Sequence, residues 1–134
     1  MPSLPQDVID LAMAEREVEL TTYGRKTGRA SRRIIWIWGD GQRIYIRSGQ
    51  GLGRDWPQNL LANGRAVLHI AGRDVPINVR LVEDPAEARA GAAMVDRKYK
   101  NGSKPSPEGE PLTPGETATF EVLPAWSLSH RERG

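Results

Sequence analysis

The chain has 134 residues, no cysteine and two histidines, and 19 lysines and arginines against 17 acids leave it a net charge of +2. The missing cysteine excludes disulfides, zinc–thiolate sites, iron–sulfur clusters and thiol catalysis, and His69 and His130 are too few to build a metal site on. No apolar run approaches the roughly 20 residues that span a bilayer, and acids stand at the N-terminus where a signal peptide needs a basic region and an apolar core, so the expectation is one soluble, cytoplasmic domain, residues 1–134.

The spacing predicts a short helix from Ser3 to about Glu15, with Ser3 and Gln6 as a capping box and Val8, Leu11 and Ala12 on one side. It belongs to an acidic N-terminal arm, residues 1–17, that could lie near the cations described below. Val18 to Thr22 reads as a first strand. Arg32 to Trp38 and Gln42 to Ser48 read as a hairpin around Gly39-Asp40-Gly41, because Asp-Gly between apolar runs favours a tight turn. In the second of these strands Ile44 and Ile46 share a core face, while Arg43, Tyr45 and Arg47 share a surface or site face. Asp55-Trp56-Pro57-Gln58 has capping-box spacing and opens a helix, Trp56 to Ala62, that stops at Asn63-Gly64.

Ala66 to Ala71 and Val75 to Val82 form a second hairpin about Gly72-Arg73. A helix follows to about Lys100, with Asp84 as its cap, Pro85 in first position and Glu87 reaching back. Asn101 to Gly115 is rich in Pro, Gly, Ser and Glu and reads as an exposed, mobile loop. Thr117 to Leu123 is the last strand, and residues 125–134 are a charged tail. The order indicates a mostly β, α+β fold: a small barrel of about six mainly antiparallel strands with two or three short helices.

Charge is segregated along this order. From Gly24 to Arg54 there are eight cations, Arg25, Lys26, Arg29, Arg32, Arg33, Arg43, Arg47 and Arg54, against the single acid Asp40, a local charge of +7. A cationic segment of this kind points to an anionic partner. The glycine-containing stretches Tyr23 to Arg29 and Ser48 to Arg54 flank the apolar run Ile34 to Trp38. Glycine lets backbone N–H groups approach an oxyanion, and Arg and Lys add charge-assisted hydrogen bonds. Neither stretch is a Walker A loop or a dinucleotide-binding fingerprint. A small barrel with basic loops could also bind single-stranded nucleic acid, but the glycines suit one compact anion better than a track of phosphates, so nucleic acid ranks lower.

The run Leu20-Thr21-Thr22-Tyr23-Gly24-Arg25-Lys26-Thr27-Gly28-Arg29 resembles the signature of the deazaflavin-dependent nitroreductases and quinone reductases, a branch of the split β-barrel flavin and deazaflavin oxidoreductases. Ser48-Gly49-Gln50-Gly51 and Trp56 to Asn63 resemble that family's second glycine loop and following helix. The resemblance implies a split-barrel groove for coenzyme F420, an 8-hydroxy-5-deazaflavin, with FMN as the alternative, and hydride transfer to a small quinone-like or nitroaromatic electron acceptor. It further implies that Arg25, Lys26 and Thr27 meet the acidic tail, that Arg32 adds a cation, and that Ser48, Gly49, Gln50 and Gly51 offer backbone N–H groups. Trp36 would lie beside the ring, Trp56 and Asn59 would shape the opposite wall, and two copies of the chain would pair as a homodimer.

Hydride transfer from such a coenzyme needs no protein nucleophile. The proton that accompanies it is assigned to a tyrosine, with Tyr99 preferred over Tyr45 and Tyr23 because it lies late on its helix near the mobile loop. Trp36 and Trp38 are expected on opposite sides of their strand, so that only one lines the slot. His69 reads as a strand residue with a satisfied hydrogen bond, and no Ser-His-Asp arrangement is expected.

Overall fold

A computed structural model describes residues 4–100 and 104–125 of the chain. The strands are β1 (Glu17–Tyr23), β2 (Ala30–Gly39), β3 (Ile44–Arg47), β4 (Arg65–Ile70), β5 (Arg73–Leu81) and β6 (Thr119–Pro124). The helices are α1 (Gln6–Ala14), α2 (Asp55–Asn63), α3 (Pro85–Tyr99) and the single-turn α4 (Pro114–Thr117). The strands close an antiparallel barrel in the order β1-β2-β3-β6-β5-β4, with β1 and β4 completing the ring through Glu19↔His69, Leu20↔Leu68 and Thr21↔Val67.

Period-two alternation fills the interior. Val18 and Leu20 of β1, Ile35 and Ile37 of β2, Ile44 and Ile46 of β3, Leu68 and Ile70 of β4, Ile77 of β5 and Phe120 and Val122 of β6 form one buried cluster. Each such side chain, fully buried, contributes roughly 1.5–3 kcal/mol. Ile9 and Ala12 of α1 and Leu60 of α2 join it from opposite ends. At one end α1 meets the β2–β3 and β4–β5 turns, where Arg73 donates to Asp7 (2.6 Å) and Gln6 reaches the Gly41 carbonyl (3.4 Å). At the other, Asn59 of α2 donates to Thr22 (3.1 Å) and Asn63 to the Tyr23 carbonyl (3.4 Å).

A second cluster lies outside the barrel under α3, where Trp38, Tyr45, Val82, Ala88, Val95 and Tyr99 pack together with Trp36 against them. This corrects two expectations. Residues two apart in a strand share a face, so Trp36 and Trp38 both point outward. Tyr45 is 4% exposed rather than surface, because α3 covers its side of β3.

Helix termini account for other differences. α1 begins at Gln6 with Pro5 as N-cap and no side-chain cap; Ser3 lies outside the described residues. α2 starts one residue early, so Asp55 is inside its first turn, Arg54 takes the cap position, and Gln58 donates to the Leu52 carbonyl (2.7 Å) instead of closing a box. Gly64 ends α2 at φ 73°, a left-handed conformation that glycine adopts without cost. Asp84 caps α3 as expected through the Ala86 N–H (3.1 Å), but Glu87 turns away to Tyr45 and Arg80.

The segment after α3 holds a helix that composition hid. Thr113 and Glu116 form a complete capping box around α4. Glu116, fully buried, accepts from the N–H groups of Ser106 (3.0 Å) and Thr113 (2.8 Å). Burial pushes its carboxyl pKa up, but these hydrogen bonds outweigh it and hold the group below the ordinary value. Arg89 of α3 ties the same segment down through Ser106 (3.1 Å) and the Glu110 carbonyl (2.8 Å).

Candidate functional site

The site follows from a break in strand pairing. β2 pairs with β1 over Ala30 to Trp36 but with β3 only over Ile37 to Gly39. Beyond Ile37 the two strands part, and among the described residues the second edge of Ala30 to Trp36 has no strand beside it. A groove of ≈ 590 Å³ occupies the gap, bounded by β2 from Arg33 to Trp36, by Arg47 to Gln50, and by Arg54 to Trp56 at the start of α2. Around the start of α2, sharing Asp55, lies a second cavity of ≈ 360 Å³ that holds Arg25, Lys26, Thr27, Arg29 and Asn59.

The predicted site residues divide between these cavities. Trp36, Ser48, Gly49, Gln50 and Trp56 line the groove, while Arg25, Lys26, Thr27 and Asn59 line its neighbour. Trp36 is held from behind by Tyr99, whose ring stacks on it at 4.0 Å and 8°. Trp56 rests against Phe120 of the core with ring centroids 6.4 Å apart. Asn59 is buried and bridges Thr22 to Arg25, accepting from the Arg25 guanidinium at 3.3 Å. The Gln50 side chain accepts from Arg54 Nε (2.7 Å) and Nη2, which clips the loop shut on itself.

Four predicted roles do not survive. Arg32 lies on the outer side of β2, paired with Glu19 at 2.9 Å beside a different cavity. The cation that faces the groove is Arg33, in phase with the inward Ile35 and Ile37. Gly51 spends its N–H on the Ser48 carbonyl (3.0 Å), and Ser48 spends its own on the Ala118 carbonyl (3.1 Å). Of the four amides expected to offer donors, those of Gly49 and Gln50 make no hydrogen bond among the described residues.

Tyr99 is not at the groove. Its hydroxyl accepts from the Ile37 N–H (3.1 Å) and shares its proton between the carbonyls of Ile37 (2.8 Å) and Arg16 (2.7 Å). Burial pushes its pKa up. A phenol so occupied is a buttress for Trp36, not a proton donor to a bound molecule. Lys98 reinforces it, donating to the carbonyls of Ala12 (2.9 Å), Glu15 (2.6 Å) and Ile37 (2.5 Å), with burial and then Arg16 lowering its pKa.

The eight-cation segment therefore separates by direction. Arg32 is neutralised by Glu19, and Arg43 faces Glu87 (3.9 Å) and Glu121 (3.8 Å) under α3. The other six converge on the two cavities: Arg33, Arg47 and Arg54 on the groove, Arg25, Lys26 and Arg29 on its neighbour. Sequence reasoning assigned no role to Arg33, Arg47 or Arg54; following the period of Ile37 and Ile35 back one step would have found Arg33. His69 matches expectation, held between Thr21 Oγ1 and Asp74 Oδ1, each at 2.7 Å.

Fold and groove together define a six-stranded split barrel with a cation-rimmed slot at the split. Three solved structures share the architecture at identities that carry the fold alone. A Listeria innocua protein named as a candidate pyridoxamine 5'-phosphate oxidase is 14% identical, with TM-score 0.65 over 90% of this chain and 93% of that one. An F420 reductase is 17% identical, with TM-score 0.58 over 92% and 94%. HutZ, the heme storage protein of Vibrio cholerae, is 13% identical, with TM-score 0.60 over 91% and 90%. No curated protein matches the sequence. The chain belongs to the family described as "Uncharacterized protein conserved in bacteria (DUF2255)", which matches residues 8–120. Among the described residues no helix is long and apolar enough to cross a membrane, and no group of acids and histidines could hold a metal ion.

Proposed function

We propose that this protein is an oxidoreductase that holds a deazaflavin of the F420 type in the groove and serves hydride transfer to quinone-like or nitroaromatic acceptors. One observation carries the reading: the slot at the parting of β2 and β3 combines aromatic walls, Trp36 and Trp56, with three arginines, Arg33, Arg47 and Arg54, that among the described residues form no ion pair with the lining acids Glu17 and Asp55 or any other. That donor set suits a planar, anionic molecule. The two indoles would border the ring, Ser48 and the amides of Gly49 and Gln50 would meet its polar edge, and Arg25, Lys26 and Thr27 would take an acidic tail in the adjoining cavity, with Asn59 orienting Arg25. When bound, the coenzyme supplies the hydride, so the chain contributes position and exclusion of water.

FMN is the second reading, favoured because Arg33, Arg47 and Arg54 give the groove cations of its own for a ligand too short to reach the Arg25–Lys26 loop. Pairing of two copies in the cytoplasm, with no nucleic acid partner, completes the proposal. Titration of the purified protein with F420 and with FMN, followed by fluorescence, tests it. Lys26→Ala should weaken F420 binding about 3- to 10-fold, an effect that shrinks at high salt, and leave FMN binding unchanged. Wild-type protein that binds neither molecule would remove the coenzyme reading.

A further inference from the structure

Arg47 is the cation hardest to explain as scaffolding. It ends β3, half-buried, on the outer face of the barrel that also carries Trp36, and it lines the groove. Among the described residues it has no ion pair and no side-chain hydrogen bond. The contrast with Arg80 is sharp: that guanidinium, no more buried, donates to both Glu121 (2.7 Å) and Glu87 (2.6 Å). Burial pushes the Arg47 pKa below the ordinary arginine value, yet arginine stays charged at any physiological pH. Glu116 offsets part of that effect from beyond ion-pair distance, but a charge taken partly out of water without a close partner destabilises the empty protein.

Nor is the side chain loosely placed. Gly115 of α4 lies so close that a Cβ there would sit 2.9 Å from Arg47 Nη1 and 3.0 Å from Cζ. The next residue, Glu116, is the nearby acid, but both its carboxylate oxygens are occupied by the backbone N–H groups of Ser106 and Thr113. The chain thus uses its adjacent carboxylate as a helix cap and leaves the cation facing the slot. Beside it, the hydroxyl of Ser48 and the amides of Gly49 and Gln50 make no hydrogen bond among the described residues.

We propose that Arg47 is the seat for a phosphate ester, with Ser48 and the Gly49 and Gln50 amides as additional donors and Arg33 and Arg54 supplying the second charge. The planar guanidinium matches two phosphate oxygens at once, and the bound dianion supplies the direct ion pair that Glu116, beyond ion-pair distance, does not. The proposal rests on the groove being a ligand site and deepens the coenzyme reading: the phosphate itself is gripped inside the slot by a strand residue, which leaves the Arg25–Lys26 loop to the carboxylates of an acidic tail.

Three measurements on the full chain test it. Thermal unfolding without added anion should show Arg47→Met melting about 2–5 °C above wild type, because an unpaired, desolvated charge is gone. Pyrophosphate, at ionic strength held constant with chloride, should raise the wild-type melting temperature and leave that of Arg47→Met unmoved. In titrations, Arg47→Met should bind FMN about 10- to 100-fold more weakly while its affinity for riboflavin, the same ring without phosphate, is unchanged. Gly115→Ala, which pushes the guanidinium aside but removes no charge, should lose the same preference for FMN over riboflavin.

An Arg47→Met protein that melts below wild type, or pyrophosphate that stabilises both proteins equally, would make Arg47 structural and overturn the proposal. Wild-type protein that binds FMN and riboflavin equally well would also overturn it, and would leave the coenzyme reading standing. Failure of wild type to bind F420, FMN or riboflavin, with the pyrophosphate effect present and dependent on Arg47, would do the reverse: the seat holds for another phosphate-bearing ligand and the coenzyme reading falls.

Discussion

The α3 face and the groove lie side by side on one barrel and treat charge in opposite ways. Under α3 three cations are answered: Arg80 by Glu87 and Glu121, Arg43 by the same two acids, Lys98 by three carbonyls. At the groove, among the described residues, Arg33 and Arg47 have no acid within ion-pair distance, and Arg54 is bonded to neutral Gln50. Both regions are arginine-rich and both contain stacked aromatics. What separates scaffold from site is therefore pairing, not charge, since a paired cation is already satisfied and an unpaired one still seeks an anion.

Tyr99→Phe is the largest test of this contrast. It should lower stability by about 1–3 kcal/mol, because the buried Ile37 N–H loses its acceptor and two carbonyls lose a donor. Unchanged unfolding with abolished turnover would instead make Tyr99 a catalytic acid and move the boundary of the site.

A smaller effect concerns alkaline pH. Burial first, and then the hydrogen bond to Glu87, push the Tyr45 pKa up to about 12 from 10.0. A folded-state pKa raised above the unfolded one gives stability that is present below pH 10 and lost as pH rises toward 12. Denaturant unfolding across that window should show the decline, and Tyr45→Phe should flatten it. An unaltered slope in the variant would mean that the α3 network does not restrain this hydroxyl.

The smallest effects come from adjacent arginines. Arg33→Ala should weaken flavin binding about 3- to 10-fold, roughly 1 kcal/mol, with unfolding unchanged. Arg32→Ala should cost at most about 1 kcal/mol of stability through the exposed Glu19 pair and leave ligand binding alone. Equal binding losses in the two variants would show that both arginines act as one diffuse field.

Much of this was legible in the chain. The strand alternation, the Gly64 stop of α2, the Asp84 cap and the Asp-Gly turn are local rules, and local chemistry suffices for them. α4 escaped because the fifteen Pro-, Gly-, Ser- and Glu-rich residues from Asn101 to Gly115 read as loop, although Thr113-Pro114-Gly115-Glu116 carries the capping-box spacing in plain view. Tyr99 was misplaced for a different reason: its distance from the mobile-loop composition says nothing of which backbone groups its hydroxyl meets.

By itself the sequence determined the elements, their inward faces and the excess of cations between Gly24 and Arg54, because periodicity and charge are properties of neighbours along the chain. Only the tertiary structure decided which of those cations are spent. That depends on where β2 parts from β3 and on which acids α3 carries to β5 and β6, contacts between residues dozens of positions apart that no local pattern encodes.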